Sequence, residues 1–457
     1  MTTPLPPAWH TWWFRTALTG RTLLAATLVR ARSLARTLTW GYHALGLFTP
    51  LHALRPGDTG VDVHWLTSVL HANGTLERTN AVQTATFKSL SANRGLAGTV
   101  YRLIVTYADP STAAPTAFIV KLSNDGWAGI QRILVSGQYR EAAFYTSPLA
   151  SKLSSRMLPV AYYAYGSGLL GEFALILEDV TLSKVAPVNF VFGNQIWGIP
   201  KPLDPPLDPL VVLEAMYLRA AEQHAKFWKN RTLLTLPWLK GANWYGGRGR
   251  AEWELTIERG RQAWETAKAS ATGAKFSLKL IAIIDQSFVR ASWKNLQARL
   301  HNPAVPFTLC HGDFHAANML VRTDIPPVTG TDPLGVDVVM FDWSECGPWE
   351  PTTDLVQTLI SDVKAELFTK HSKTLVHKYW THLVAHGVSA QEYTFEACWS
   401  AFCSTGPSRW IWVFAVLASF PGMPAAAVMY FHDQLLAFIE AHGDQPHYEL
   451  GPVVLML

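Results

Sequence analysis

The first 57 residues contain no aspartate, glutamate or lysine, and this is the clearest absence in the chain. Six arginines stand there instead (Arg15, Arg21, Arg30, Arg32, Arg36, Arg55). The whole chain carries a net charge of +4, so the remainder carries −2 and a nucleic-acid-binding body is not indicated. Paired cysteines are lacking too. Cys310, Cys346, Cys398 and Cys403 show no Cys-x-x-Cys spacing, which favours a reduced compartment over secretion and makes Cys310 a small core residue rather than a nucleophile. No apolar run reaches the roughly 20 residues needed to span a bilayer. The Arg-free stretch Thr22 to Val29 is far too short, and the run Ile411 to Phe420 ends at Pro421-Gly422, so it reads as a buried core helix. Repeats and low-complexity tracts are missing.

What is present is a globular composition, 49% hydrophobic and 16% charged, with 19 tryptophans that imply large apolar pockets or contact surfaces. At 457 residues the chain exceeds the roughly 250 to 300 residues at which single cores stop growing, so two lobes are expected. The boundaries read as a leader over 1–57, a small lobe over 58–180 and a larger lobe over 181–457. With its Thr, Ser, Ala, Leu and Arg, the leader has the composition of a mitochondrial targeting segment. A helix packed on the body through Trp12, Trp13 and Phe14, or one touching a membrane surface or partner, is the competing reading.

The small lobe opens with an amphipathic helix over 61–70, ended near Gly74. Two β-branched and aromatic runs, 99–107 and 117–122, flank Asp109-Pro110-Ser111 and predict an antiparallel hairpin. A helix over 137–153 and strands near 160–165 and 173–177 follow. Six prolines between 183 and 209 mark a surface connector, and beyond it nearly every periodic segment is helical, apart from a strand-rich stretch over 307–343. The fold class is therefore α+β, with a small antiparallel β-rich lobe before a larger, mainly α lobe.

That strand-rich stretch holds the chemistry. His311-Gly312-Asp313-Phe314-His315-Ala316-Ala317-Asn318 precedes a strand ending in Phe341-Asp342-Trp343. Asp313, Asn318 and Asp342 supply one general base and two hard oxygen ligands for magnesium on a nucleotide triphosphate, as phosphoryl transfer requires. His311 and His315 have the spacing of zinc ligands on a helix, but Gly312 follows the first and no glutamate stands next to it, so His311 is read as a structural loop residue. In the small lobe, Gly95 and Gly98 offer a tight turn for phosphate oxygens. Lys121 ends a strand, and Glu141 lies twenty residues on, where an ion pair would hold that lysine on α- and β-phosphates. Glu178 and Asp179 end the last strand, as an adenine-binding hinge or as simple caps.

Taken together, these motifs resemble the aminoglycoside phosphotransferase and choline kinase superfamily, and within it the ecdysteroid kinase-like proteins. The resemblance rests on His311-Gly312-Asp313 with Asn318, on Asp342-Trp343, on Leu177-Glu178-Asp179 as the hinge, on Gln223-His224-Ala225 with Phe227-Trp228, and on Gly347-Pro348-Trp349 through Asp354-Leu355. It covers roughly residues 60 to 440. What it implies is a bilobal protein-kinase-like fold that moves the γ-phosphoryl of ATP, with magnesium, to a hydroxyl of a small molecule, Asp313 being the base and Asp354 bracing its loop. The loop Thr323 to Gly335 is longer than the family pattern, and residues 1–57 lie outside it. A second reading follows from the leader: a kinase-fold accessory subunit of a mitochondrial membrane-associated assembly, with weak or no turnover. Mitochondria are the expected location and the cytoplasm the alternative; no nucleic-acid partner is expected.

Overall fold

The computed structural model describes residues 16–27, 53–54, 61–90, 98–124, 130, 133–134, 137–182, 185–192, 203, 206–323 and 335–443. Gly95, the Trp12-Trp13-Phe14 cluster and most of the long loop after Thr323 lie outside these residues. The chain divides into two compact units, whose main bodies are Trp12–Leu182 and Ser183–Leu455.

The first unit is built on an antiparallel sheet of β1 (Val82–Ser89), β2 (Gly98–Tyr107), β3 (Ala117–Ser123), β4 (Ala161–Ser167) and β5 (Glu172–Glu178), in the order β1-β2-β3-β5-β4. Side chains alternate across a strand, so the two faces can be read directly. Phe118, Val120, Leu122, Ala174 and Ile176 share one core with Leu66 and Leu70 of the helix Val63–Ala72, whose first N–H groups are capped by Asp62. Phe173, Leu175 and Leu177 pack on the opposite face with Ala142 and Ile133. Both faces are covered, which explains why β5 is an unbroken apolar run rather than an alternating one.

Two local readings needed revision, and the leader takes a form among those left open. Strand β1 was not foreseen, because it is an edge strand whose Gln83, Thr84 and Lys88 face outward and dilute its pattern. The single helix expected over 137–153 is two, Arg140–Thr146 and Pro148–Lys152. Pro148 has no N–H and drives Ser147 into an extended conformation, where its hydroxyl caps Leu149. Residues 16–27 of the leader are helical and packed: Ala25 and Ala26 bury against Ile130 and Leu134, with Leu18 beside them, and Arg21 donates to the Gly168 carbonyl at 2.5 Å. Leader composition and a buried helix face thus coexist.

The second unit is mainly helical around two small sheets. β7 (Thr308–Cys310) pairs with β10 (Gly347–Trp349), and β6 (Val185–Pro187), β8 (Met319–Arg322) and β9 (Asp337–Met340) form the other, all antiparallel. The helix Pro209–Lys226 packs on Ala365–Ala385, and Arg250–Lys268 on Ser408–Ser419. Gly260 allows the second contact, since a Cβ there would fall 2.3 Å from the Trp412 indole nitrogen. The run at 411–420 is core over Ile411–Val416 and surfaces at Phe420, and no described helix is long and apolar enough to cross a membrane.

Candidate functional site

Strand β7 delivers the chain into the loop His311–Asn318, and buried hydrogen bonds fix that loop before any ligand is considered. Asp354, at the start of the helix Thr352–Asp362, accepts the N–H of His311 at 2.7 Å and of Gly312 at 3.0 Å. Gly312 has φ +77°, and a Cβ would meet the Glu345 carbonyl oxygen at 2.1 Å, so glycine is required twice over. His311 Nδ1 receives the Asp313 N–H at 3.3 Å, which leaves Nε2 to donate to the Phe341 carbonyl at 3.0 Å. Burial lowers the pKa of this imidazole, consistent with that neutral tautomer and with a bracing role. His224, Cys310 and Asp354 lie together in the core below, with ligand atoms within 4.8 Å of one another. Each is already committed, His224 to Tyr379 and Asp354, the Cys310 thiol to the Trp349 carbonyl, so they act as a brace.

Asp313 follows, with 24% of its side chain exposed. Its Oδ1 accepts from Gln357 Nε2 at 2.7 Å, and its Oδ2 from Asn318 Nδ2 at 3.0 Å, with His315 Nε2 3.4 Å away. Burial alone would raise this carboxyl, but His315 beside it, with Arg409 and His311, holds it well below the ordinary carboxylate range. The converse holds for His315: burial would lower it, yet the Asp313 carboxylate pushes it up to about 9, so the ring is charged at neutral pH. A carboxylate this well satisfied is a weak base in the resting site.

Asn318 precedes β8 and Phe341-Asp342 follow β9 at the same end of that pair, where the Phe341 N–H donates to the Asn318 carbonyl at 3.1 Å. The Asn318 amide nitrogen is spent on Asp313, donating to its carbonyl as well as its carboxylate, so Oδ1 is the atom this amide presents to a cation. Asp342 has φ +63°, one of two non-glycine residues with positive φ among the described residues. Such strain at an aspartate after a buried strand is held by its surroundings, here with Ser344 donating to Oδ1 at 2.9 Å. An amide oxygen and a carboxylate fit magnesium's preference for hard oxygen ligands.

In the first unit, Lys121 Nζ lies 2.6 Å from Glu141 Oε2, and Glu141 is buried. Strand alternation explains the meeting: Phe118, Val120 and Leu122 face one core, leaving Lys121 on the face covered by the helix Arg140–Thr146. Gly98 is placed differently from expectation. It opens β2 opposite Ser123, and a Cβ would meet the Leu122 carbonyl at 2.7 Å, so close strand packing already explains this glycine. The Glu178 carboxylate accepts the Val160 N–H at 3.1 Å, and Asp179 binds Arg102 at 2.6 Å and Thr181, so both side chains tie strands and turn together.

Sequence reasoning missed Gln357, Arg409 and the buried pair Lys240–Glu345, closed at 2.6 Å. One signal was available. Within the wholly buried helix Thr352–Asp362, Asp354, Gln357, Thr358, Ser361 and Asp362 form a polar stripe at helical spacing, which a buried helix keeps only where partners exist.

Comparison with known proteins bears on the same stretch. The model of the ecdysteroid kinase-like family matches residues 261–391, which include Asp313, Asn318, Asp342 and Asp354. No curated protein matches the chain. Among solved structures, choline kinase from Cryptosporidium parvum is 9% identical over 84% of this chain and 95% of its own, with a TM-score of 0.42. An ethanolamine kinase of Plasmodium vivax is 9% identical over 78% and 81%, with a TM-score of 0.39. The GDP complex of aminoglycoside 2'-phosphotransferase-IIIa is 12% identical over 83% and 97%, with a TM-score of 0.38.

Proposed function

We propose that this chain, similar to the ecdysteroid kinase-like family over its catalytic loop, transfers the γ-phosphoryl group of ATP to a hydroxyl of a small molecule. The observation that carries the reading is Asn318, whose Nδ2 is committed to the Asp313 carboxylate and carbonyl, which leaves Oδ1 as the atom that could serve a cation. In this reading Asp313 orients the acceptor hydroxyl and takes its proton. The acceptor oxygen bonds to the γ-phosphorus as the bond to the β–γ bridging oxygen breaks and ADP departs. Because the resting carboxylate is a weak base, that proton moves late, when the acceptor oxygen has lost electron density to phosphorus. Lys121, oriented by Glu141, is assigned to the α- and β-phosphates. Asn318 and Asp342 are assigned to magnesium, which when bound neutralises charge on the phosphate oxygens. A metabolite-library phosphorylation screen tests the proposal, with Asp313→Ala as control; a purified chain without affinity for millimolar Mg-ATP would sink it.

For location we propose mitochondria, on the Arg-rich, acid-free leader, with residues 16–27 retained because their inner face is buried. Cell fractionation with N-terminal sequencing of the recovered protein tests both parts. Co-migration with a membrane complex on native gels would favour the accessory-subunit reading instead.

A further inference from the structure

Arg409 is the one charged residue of the helix Ser408–Ser419, whose other buried positions include Trp410, Ile411, Trp412 and Phe414. A guanidinium 8% exposed among such neighbours persists only with fixed partners. Its Nη1 donates to Gln357 Oε1 at 2.7 Å, while Nη2 lies 3.6 Å from Asp313 Oδ1 and 3.8 Å from Glu345 Oε2. Glu345 is in turn held by Lys240. The family match ends at residue 391, before this helix begins.

The chemistry of the amide makes this arrangement directional. A primary amide has an accepting end and a donating end, and a guanidinium has no acceptor and does not deprotonate in proteins. Whichever end of Gln357 meets Arg409 must therefore be oxygen, and the other end, facing Asp313 Oδ1, must be nitrogen. Remove the guanidinium and Oε1 loses its donor, so the amide is anchored at one end only, by the carboxylate it is meant to hold. We propose that Arg409 is a positioning residue: by anchoring the far end of the Gln357 amide it fixes where the donor to Asp313 sits and so aims the carboxylate. The inference rests on the reading of Asp313 as the base. Asn318 and His315 hold Oδ2, and among the described residues Gln357, anchored by Arg409, is the one hydrogen-bond donor to Oδ1.

The direct test is NMR of the full chain labelled with 15N-glutamine. In the wild type the Gln357 Nε2 protons should exchange slowly with solvent, and in Arg409→Met that protection should collapse while Gln434, which donates to the Val363 carbonyl elsewhere in the core, keeps its own. Unchanged Gln357 protection in Arg409→Met overturns the proposal. Turnover provides the second readout, with Mg-ATP and water as the probe acceptor. Arg409→Met and Gln357→Met should each lower kcat by about tenfold to a hundredfold with the KM for ATP held within about twofold, and the double variant should be no worse than either single one. Additive losses, or a loss confined to KM, would mean that Arg409 acts otherwise. Gln357→Met also serves if Arg409→Met does not fold. Asp313→Asn separates the two ideas. If it leaves turnover intact the base assignment fails, whereas loss in Asp313→Asn with full activity in Arg409→Met and Gln357→Met refutes the relay alone.

Discussion

Asp354 and His311 are joined by a 2.7 Å hydrogen bond from backbone N–H to carboxylate, made in a fully buried core and repeated at the next residue by Gly312. The loop that carries Asp313 is thus suspended from a side chain 43 residues away.

Replacing that side chain should be costly. Asp354→Ala leaves two buried N–H groups and His224 without their acceptor, a loss of about 3 kcal/mol or more. Equilibrium denaturation should show the drop, and a variant as stable as the wild type would remove Asp354 from this role.

Removal of Lys121 takes from the buried Glu141 carboxylate its ion pair at 2.6 Å. Lys121→Met should therefore lower stability by about 3 kcal/mol as well as weaken ATP binding by about tenfold or more. Glu141→Gln keeps the shape and should weaken binding with a smaller stability change. Paired calorimetric titration and thermal melts distinguish these effects; equal stability losses would contradict the asymmetry of burial.

The Asp313–His315 pair sets a pH window. Since His315 is raised from 6.5 to about 9 in the folded chain, its contribution is fully present below pH 6.5 and fades as pH climbs through about 9. Asp313 is lowered, so its own contribution is present above the ordinary carboxylate range and lost only in strong acid. Stability measured from pH 6 to 10 should fall along an alkaline limb that His315→Leu flattens. A limb of equal steepness in both proteins would assign it to another group.

Metal dependence should separate at Asp342. In Asp342→Ala, affinity for Mg-ATP should fall by about tenfold or more, whereas affinity for ATP in the presence of a chelator should not change. An identical fall in both conditions would point to a collapsed loop rather than a lost ligand.

Deleting residues 1–28 uncovers Ile130 and Leu134. The expected loss is about 2 kcal/mol, reproduced in the full chain by Ala25→Asp. If neither change lowers the melting temperature, the helix over 16–27 is an ornament of the first unit and not part of its core.

How much of this was readable in the sequence depended on range. The buried strand Phe173–Leu177 and the meeting of Lys121 with Glu141 follow from local periodicity and from the order of elements. Strand β1 escaped because an edge strand hides its pattern among polar side chains. Gln357 and Arg409 escaped for another reason: their partners stand 44 and 52 residues away, and nothing short of the tertiary fold brings an amide, a guanidinium and a carboxylate into register.

The docked helix at 16–27 also has a history within synthesis. Its own residues leave the ribosome before the surfaces that receive it: Ile130 and Leu134 emerge about a hundred residues later, and the Gly168 carbonyl 147 residues after Arg21. At about 5 to 20 residues per second, the arginine-bearing segment waits roughly 5 to 30 seconds without its docking surface. During that interval its inner face is open, in the mitochondrial reading proposed above to capture by an import receptor, and afterwards that face is closed. Destination would then be settled by a race, with faster folding of the first unit keeping the protein where it was made.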